Sequence, residues 1–530
     1  MFNLDPSILQ ATLPLSAPGL MFLAGILSTS NGSGPAHALR AARLAIVVLV
    51  LALGSAVACF WNGPIIHTFA GFNVFQFGVY LDVISTIMLV LISFLGAVVL
   101  RYSVNYMAGD PQQGRFTKWL CLTIAAVLTL VIAGNLLLFA LAWMATSMSL
   151  HQLLVFYPTR PGALLAARKK FLISRLGDAA MVLVLVLTYQ CFKTWDFREI
   201  FAQIAAFQQN GVPTNIHWIS LLLVAGAMMK SAQFPFHSWL PDTMETPTPV
   251  SALMHAGIIN AGGFLLIRLS PVVSLSPVAL NTLALVGAFT ALFASLIMLT
   301  QTSIKRSLAY STIAQMGFMM LQCGLGAFAL ALLHIVAHSL YKAHAFLTSG
   351  SIVNLKKSAW VPSERPAAHP FVIIAILLTS VALTGGTAML FRVGLDAEPG
   401  SLILSSVYAM ALAYFLWNLW ASSHRAKLVG WGLLIGLGAS TAYFALHTLI
   451  VRATSSSLPH HIPAHGPVET AVMIIVIVLF MAVLVVQSQF PQWSSTKLGR
   501  ALYVHAYKGF YFVTLANRIT LALSPRSSIR

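Results

Sequence analysis

One lysine lies inside an apolar segment of the chain. Lys230 follows the run LLLVAGAMM and precedes SAQFPFHSWL, so its ammonium is expected at membrane depth. Placing a charge there costs about 2.5–3.5 kcal/mol even on the lenient insertion scales. Membrane proteins keep such residues mainly where charges pair or where ions and protons move. Ion or proton movement across a membrane is therefore the first hypothesis.

A stripe of titratable residues occupies a second apolar segment. His334, His338 and Lys342 are spaced four apart, so on a helix they form one row about 12 Å long. Histidine titrates near neutral pH, which suits a group that accepts and releases protons. The two histidines could instead bind zinc, but zinc takes three or four ligands and no carboxylate or thiolate lies nearby in the segment. The spacing favours a proton relay.

Further charged residues in the apolar segments have partners within reach. Arg175 and Asp178 stand three apart, which places both on one helix face where they can neutralise each other. That pair could also be purely structural. His255 lies in the segment after Lys230, where a hydrogen-bonded packing role is an equal alternative, and Lys305 opens a later segment.

The composition excludes a soluble protein. Only 8% of the 530 residues are charged and 58% are hydrophobic, whereas soluble domains carry about 25% charged residues. Fifteen apolar runs approach or reach the ~17–25 residues that a spanning helix needs. The sequence therefore predicts an all-α polytopic membrane protein. The runs lie near residues 13–30, 43–60, 79–100, 119–134, 135–157, 171–192, 218–240, 250–267, 277–301, 307–325, 327–353, 370–391, 401–421, 429–451 and 468–488.

The basic residues predict the orientation. With the N-terminus outside, the loops and tail assigned to the cytoplasm hold 22 of the 30 Lys and Arg residues, Lys169 and Lys170 among them. The outer loops hold five, Arg268 included, as the positive-inside rule requires. The net charge of +18 is spread over these loops, which favours attraction to anionic lipid headgroups over nucleic-acid binding.

Two apolar runs carry residues that interrupt helices. Ser231, Pro235 and Pro241 follow Lys230, and Gly385 and Gly386 lie within LTGGTA. Transporters place ion sites at such breaks, although a packing kink is the simpler alternative. Phosphate-binding loops, CxxC clusters and haem motifs are missing from the sequence. We therefore expect no cofactor, no metal and no catalytic residue on this chain, and an ion gradient or a partner's chemistry as its energy source.

Four segments resemble the antiporter-type subunits of respiratory complex I and of multisubunit cation/proton antiporters. They are YSVNYMAGD (102–110), KSAQFPFHSWLPDTMETPTPVSALMHAG (230–257), IKRSLAYSTIAQMGFM (304–319) and HIVAHSLYKAHAFLTSGSIV (334–353). The resemblance implies two inverted five-helix repeats, each with a broken helix. It also implies a proton path through Lys230, His255 and Lys305 and then along His334, His338 and Lys342.

The resemblance suggests a division of the chain into five parts. N-terminal transmembrane helices occupy residues 1–118, the two repeats 119–270 and 271–421, and C-terminal transmembrane helices 422–488. Residues 489–530 are expected to form a cytoplasmic amphipathic tail.

Two departures narrow the resemblance. Met144 follows Trp143 where those subunits normally carry a glutamate that pairs with the broken-helix lysine, so Asp178 becomes the candidate partner. GGTAMLFRVGLD stands where their second broken helix usually presents a lysine or glutamate. The stretch SLHQLLVFYPTRPGALLAARKKFLISRLGD (149–178) is similar to the DabB-type membrane subunits of bacterial inorganic-carbon accumulating systems.

That likeness implies a two-subunit complex in the bacterial inner membrane. The partner would be DabA, a cytoplasmic zinc protein resembling β-carbonic anhydrases. Protons moving through the membrane subunit would drive hydration of CO2 to bicarbonate on that partner. A subunit of a sodium or potassium/proton antiporter, a passive anchor whose proton path has decayed, and a complex I-like assembly remain alternatives.

Overall fold

A computed structural model describes residues 6–28, 34–72, 75–350, 370–393, 399–423, 426–459, 466–493 and 496–523. The chain is built almost entirely of helices, and the cytoplasmic linker expected at 354–369 lies outside the described residues. The helices are α1 (Pro6–Leu27), α2 (Gly34–Asn62), α3 (Val83–Tyr106), α4 (Gln113–Ile132), α5 (Leu136–Leu154), α6 (Pro161–Phe192), α7 (Phe197–Asn210), α8 (Thr214–Lys230), α9 (Thr248–Ala256), α10 (Ala261–Arg268), α11 (Ser270–Val273), α12 (Pro277–Thr300), α13 (Ile304–Gly324), α14 (Phe328–Leu347), α15 (Pro370–Leu390), α16 (Pro399–Ser423), α17 (Ala426–Thr454), α18 (Pro467–Trp493), α19 (Lys497–Tyr507) and α20 (Phe512–Ala522).

The helices confirm the predicted all-α polytopic membrane protein. Each of the fifteen apolar runs contains a helix, and in the described part of the chain thirteen spans are long and apolar enough to cross a membrane. The two runs that miss this standard hold α8, which has 17 residues, and α13, which carries Lys305, Arg306 and two glutamines. The count of fifteen spans stays a prediction.

A β-hairpin precedes α3, and the sequence reading missed it. Strand β1 (Ile65–Phe72) pairs antiparallel with β2 (Phe75–Leu81), with Ile65 opposite Leu81. The apolar run that begins at residue 79 therefore starts in a strand and becomes helical at Val83. Asp82 sets the point where the strand ends and the helix begins. Its side chain accepts a hydrogen bond from the backbone N–H of Ser85 at 3.0 Å and so caps the N-terminus of α3.

A buried ion pair fastens α10 to the start of α3. Arg268 donates to both carboxylate oxygens of Asp82, at 2.7 and 2.9 Å, and also to the hydroxyl of Ser85. Arg268 is 3% exposed, and its guanidinium lies over the ring of Tyr80. Arg268 is thus the buried last residue of α10 rather than a loop residue, and its place on the outer side stays a prediction. Sequence hydropathy does not show that a basic residue at a helix end has a buried carboxylate partner.

The break after Lys230 is confirmed. Helix α8 ends at Lys230, and the backbone is irregular until α9 begins at Thr248, apart from 3₁₀ turns at Phe236–Trp239 and Thr243–Glu245. Asp242 fixes this segment to two helices: it pairs with Lys169 of α6 at 2.6 Å and approaches Arg306 of α13 at 3.6 Å. Most of the irregular segment is buried in the protein, as membrane depth requires, and its exposed residues are Pro235 and Glu245.

The second predicted break was wrong. Helix α15 runs without interruption through Gly385 and Gly386, because glycine lowers helix stability by about 1 kcal/mol without removing a hydrogen-bond donor. An interruption that the sequence reading missed lies instead at Gly257. There α9 ends, and a 3₁₀ turn (Ile258–Asn260) leads into α10. That interruption lies two residues after His255.

Helix α6 takes in residues that the sequence reading placed in a cytoplasmic loop. It begins with Pro161 and continues for 32 residues, so Lys169 and Lys170 lie on it and are only 2% and 4% exposed. Both lysines therefore lie on a helix rather than in a loop, and their assignment to the cytoplasmic side stays a prediction. Proline at the first helical position is the sequence signal for this early start.

The described part of the expected amphipathic tail contains two short helices, α19 and α20. Helices α19 and α20 are separated by Phe510 and Tyr511, both with positive φ angles. The rings of Phe510 and Phe512 pack against Phe293 of α12, and Phe512 also lies 4.9 Å from Phe234 in the break. The tail therefore covers the broken segment after α8.

Removing the charge of Asp82 should leave Arg268 buried without a counter-ion. Breaking a buried pair from one side costs about 3–5 kcal/mol, so Asp82→Asn should lower the thermal unfolding temperature of the purified protein and its yield. The double variant Asp82→Asn/Arg268→Met, which removes both charges, should recover most of the loss. An unchanged unfolding temperature for Asp82→Asn would show that the pair is dispensable.

Candidate functional site

The end of α8 presents Lys230 to α5. Its ammonium donates to the carbonyl oxygen of Trp143 at 3.2 Å and to the hydroxyl of Ser147 at 3.3 Å. The same nitrogen lies 4.3 Å from the centre of the Trp143 ring, where cation–π attraction replaces part of the lost hydration. These contacts hold the ammonium without a carboxylate.

A second lysine reaches the same serine from α6. Lys170 donates from its ammonium to the carbonyl oxygen of Ser147 at 2.7 Å. Since Lys230 contacts the hydroxyl of that residue, two buried lysines converge on Ser147. We call Trp143, Ser147, Lys170 and Lys230 the lysine cluster. Met144, at the position where a glutamate was expected, is half-buried against the apolar core.

The pairing of Arg175 with Asp178 is confirmed, with a nitrogen–oxygen distance of 2.6 Å. Asp178 was also the candidate partner for Lys230, and the structure does not bear this out as a contact. Among the described residues, neither Lys230 nor Lys342 has a carboxylate oxygen within 4.0 Å. Asp178 acts on Lys230 only through its field, and Arg175 opposes that field.

Helices α9, α13 and α14 form a second group of polar side chains, here called the histidine cluster. It comprises His255, Ser311, Thr312, His338 and Lys342. A ring nitrogen of His255 (Nδ1) lies 3.1 Å from the Thr312 hydroxyl, and Nε2 of His338 lies 3.2 Å from the His255 carbonyl oxygen. Lys342 donates to the Ser311 hydroxyl at 2.7 Å and more weakly to a backbone carbonyl. All three titratable residues are buried.

The remaining predicted residues extend the histidine cluster at its two ends. His334 lies one turn before His338, with ring centres 6.1 Å apart, and its Nδ1 is 2.9 Å from the Gln322 side-chain oxygen. Lys305 donates to the Thr248 hydroxyl at 3.2 Å, near the start of α9. The structure therefore brings His255, His334, His338 and Lys342 together, whereas Lys305 lies nearly two turns before Ser311 on α13 and contacts Thr248 instead.

The two clusters are adjacent in the fold but not in direct contact. In the described chain no hydrogen bond joins Lys230 to His255. Helix α10 packs against both α8 and α14, and the hydroxyl of Ser231, next to Lys230, donates to the Ile259 carbonyl at 2.6 Å. A proton that passed between the clusters would need water or a side-chain rearrangement along this seam.

The sequence reading missed the hydroxyl partners of the titratable groups. Ser147, Ser311 and Thr312 each contact a residue that it had named, and Lys170 belongs to the lysine cluster. Ser311 could be recognised only from its position opposite Lys342, and that position depends on which helices pack together. Amines, imidazoles and hydroxyls arranged in such rows can exchange protons. Among the described residues, no group of three or more His, Cys, Asp or Glu side chains is placed to hold a metal ion.

Family models match most of the region that holds both clusters. Residues 133–385 match the model "NADH:quinone oxidoreductase/Mrp antiporter, TM", and residues 68–117 match the N-terminal model of complex I chain 5. The Mrp complex of Dietzia sp. DQ12-45-1b contains a chain of similar fold, with a TM-score of 0.64 at 22% identity, covering 98% of this chain and 61% of that one. The family models and the fold define a membrane subunit of the antiporter type.

Curated relatives place the chain in one branch of that class. It is 37% identical to the probable inorganic carbon transporter subunit DabB2 of Halothiobacillus neapolitanus, with 97% of this chain and 94% of the relative aligned. It is 45% identical over about half of each chain to the corresponding DabB of Hydrogenovibrio crunogenus. The chain belongs to the DabB family of inorganic-carbon transporter subunits.

Removing the hydroxyl beside Lys342 should slow proton movement. A hydrogen bond to a charged group contributes about 1.5–3 kcal/mol, so Ser311→Ala should reduce proton uptake by membrane vesicles about tenfold or more. Ser307→Ala is the matched control. Ser307 lies one turn earlier on α13, and its hydroxyl contacts the Met298 carbonyl instead. Equal rates for the two variants would remove Ser311 from the site.

Proposed function

We propose that this chain conducts protons and couples the proton gradient to inorganic-carbon uptake by a cytoplasmic partner. The observation that carries the proposal is the pair of buried lysines, Lys230 and Lys342, each held by hydroxyl and carbonyl oxygens rather than by a carboxylate. Such oxygens stabilise an ammonium less than a carboxylate does, so each lysine can lose its proton without leaving an unpaired anion.

The proton path is proposed to run from Lys230 to His255 and Lys305 and along His334, His338 and Lys342. Arg175 and Asp178 set the field at its Lys230 end. The proposed topology places the N-terminus outside and the C-terminus in the cytoplasm of a bacterial inner membrane. Protons would enter from outside and act on the partner at the cytoplasmic face.

The partner is proposed to be a DabA-type zinc protein resembling β-carbonic anhydrases. One relative aligned over 97% of this chain and two aligned over 51% and 56% of it are named as DabB subunits of inorganic carbon transporters, which supports a companion of this kind. On this proposal the CO2 hydration chemistry belongs to the partner, and the zinc is bound there. This chain supplies the proton movement that makes hydration directional.

A subunit of a sodium or potassium/proton antiporter is the second candidate. The similarity of fold to a chain of the Mrp complex, which extends over 98% of this chain, favours it. The two candidates differ in their companions, because an antiporter of that type assembles from several small membrane subunits. They also differ in the need for a second cation on the opposite side of the membrane.

Gentle purification of the tagged protein from native membranes tests the proposal. One large soluble companion with bound zinc is the expected result, measured by mass spectrometry and metal analysis. Several small hydrophobic companions without zinc would support the antiporter and overturn the proposal.

Lys230→Ala should abolish inorganic-carbon accumulation by cells while the complex still assembles, because the relay loses the amine at the end of α8. The control is Lys118→Ala. Lys118 is a half-buried lysine on α4, and its ammonium lies 5.7 Å from the ring centre of Trp119. That variant should accumulate carbon normally. Near-normal uptake by Lys230→Ala would contradict the relay.

A further inference from the structure

Lys170 is a buried ammonium for which the relay described above has no use. It lies on α6 and is 4% exposed, and its one hydrogen bond within the described part of the chain goes to the backbone carbonyl oxygen of Ser147. A buried charge with a single neutral acceptor is poorly compensated. Its neighbour Lys169 is equally buried but has a carboxylate partner in Asp242. The contrast between the two lysines suggests that Lys170 does not contribute to the stability of the fold.

The charged and titratable groups around Lys170 come from three helices. Lys230 on α8 and Arg175 on its own helix repel its ammonium, and Asp178, also on α6, attracts it. Since Asp178 is already paired with Arg175 at 2.6 Å, the strongest unneutralised neighbour is Lys230. When both lysines are protonated, their two ammonium groups contact the same serine, Ser147, and repel each other strongly because the dielectric constant there is low. A single proton shared by the two amines is the favourable state.

His151 on α5 lies beside the part of α6 that carries Lys170, because its ring centre is 5.3 Å from that of Phe171, the next residue on α6. It lies one turn after Ser147, so both residues share a face of α5, and the field of Lys170 acts on it. Its Nδ1 is buried and has no hydrogen-bond partner among the described residues. The order Lys230, Ser147, Lys170, His151 thus leads from the broken helix towards the end of α5 at Leu154.

We propose that Lys170 is a proton carrier that shares one proton with Lys230 and links it, through His151, to the membrane surface at the end of α5. This rests on the proton conduction of the proposed function. The Lys230 ammonium gives a proton to the Ser147 hydroxyl oxygen while the original hydroxyl proton passes to the neutral amine of Lys170, turned from the carbonyl to the hydroxyl. Lys170 then protonates the imidazole of His151, which releases a proton to surface water.

Substitution by arginine separates a carrier from an anchor. Lys170→Arg keeps a positive charge and a donor for the Ser147 carbonyl, but a guanidinium does not release its proton. A carrier role predicts that Lys170→Arg and Lys170→Met both lose at least tenfold in proton uptake by proteoliposomes containing the assembled complex. Near wild-type uptake by Lys170→Arg would show that Lys170 only anchors α6 to α5. Complex assembly and unfolding temperature are measured alongside, to exclude misfolding.

A charge reversal tests the coupling without any transport. Lys170→Glu places a carboxylate opposite Lys230, so adding Lys230→Met to it should lower the unfolding temperature by several degrees. The same Lys230→Met change in the otherwise wild-type protein should not lower it, since it removes a repelled charge. Equal effects in the two backgrounds would overturn the coupled pair. If wild-type proteoliposomes take up no protons while the coupling is present, the proposed function fails and the pairing stands.

Discussion

An ammonium ion that leaves water must find other groups to replace its lost hydration, and the buried part of this chain is arranged around that requirement. Lys230 finds an indole face, a carbonyl and a hydroxyl on α5, and Lys342 finds a hydroxyl and a carbonyl on α13. Both sets of contacts are weaker than an ion pair. The lysines are consequently tolerated in the membrane but are not fixed in the charged state.

The permanent charges are treated differently. Arg268 is clamped by both oxygens of Asp82, Arg175 is paired with Asp178, and Lys169 is paired with Asp242. The Asp82–Arg268 pair joins α3 to α10, and the Lys169–Asp242 pair fixes the irregular segment after α8, so these two serve the architecture. The Arg175–Asp178 pair lies within α6. These three carboxylates are paired with basic side chains, whereas Lys230 and Lys342 have neutral acceptors. Because Lys230 is held by neutral acceptors, it does not need a carboxylate partner, and Met144 can occupy the position where related subunits are expected to carry a glutamate.

Much of this arrangement follows from the sequence. An isolated lysine before a serine and two prolines correctly predicts the broken helix, and the spacing of Arg175 and Asp178 predicts their ion pair, because both are local features. The neutral partners Ser147, Ser311 and Thr312 could not be found, since they depend on which helices pack together. The predicted break at Gly385 was wrong because two glycines do not by themselves interrupt helical hydrogen bonds. Lys170 was assigned to a loop rather than to α6 because a charge near the end of an apolar run suggests a loop.

Proton flux through purified protein tests the central claim most directly. The chain with its native companion would be reconstituted into liposomes carrying an internal pH-sensitive dye, and an imposed pH gradient would drive proton entry without any added sodium or potassium gradient. The account predicts proton entry through the wild-type protein and loss of that entry in Lys342→Met, which removes the amine of the histidine cluster. Equal proton entry through the wild type and Lys342→Met would contradict it.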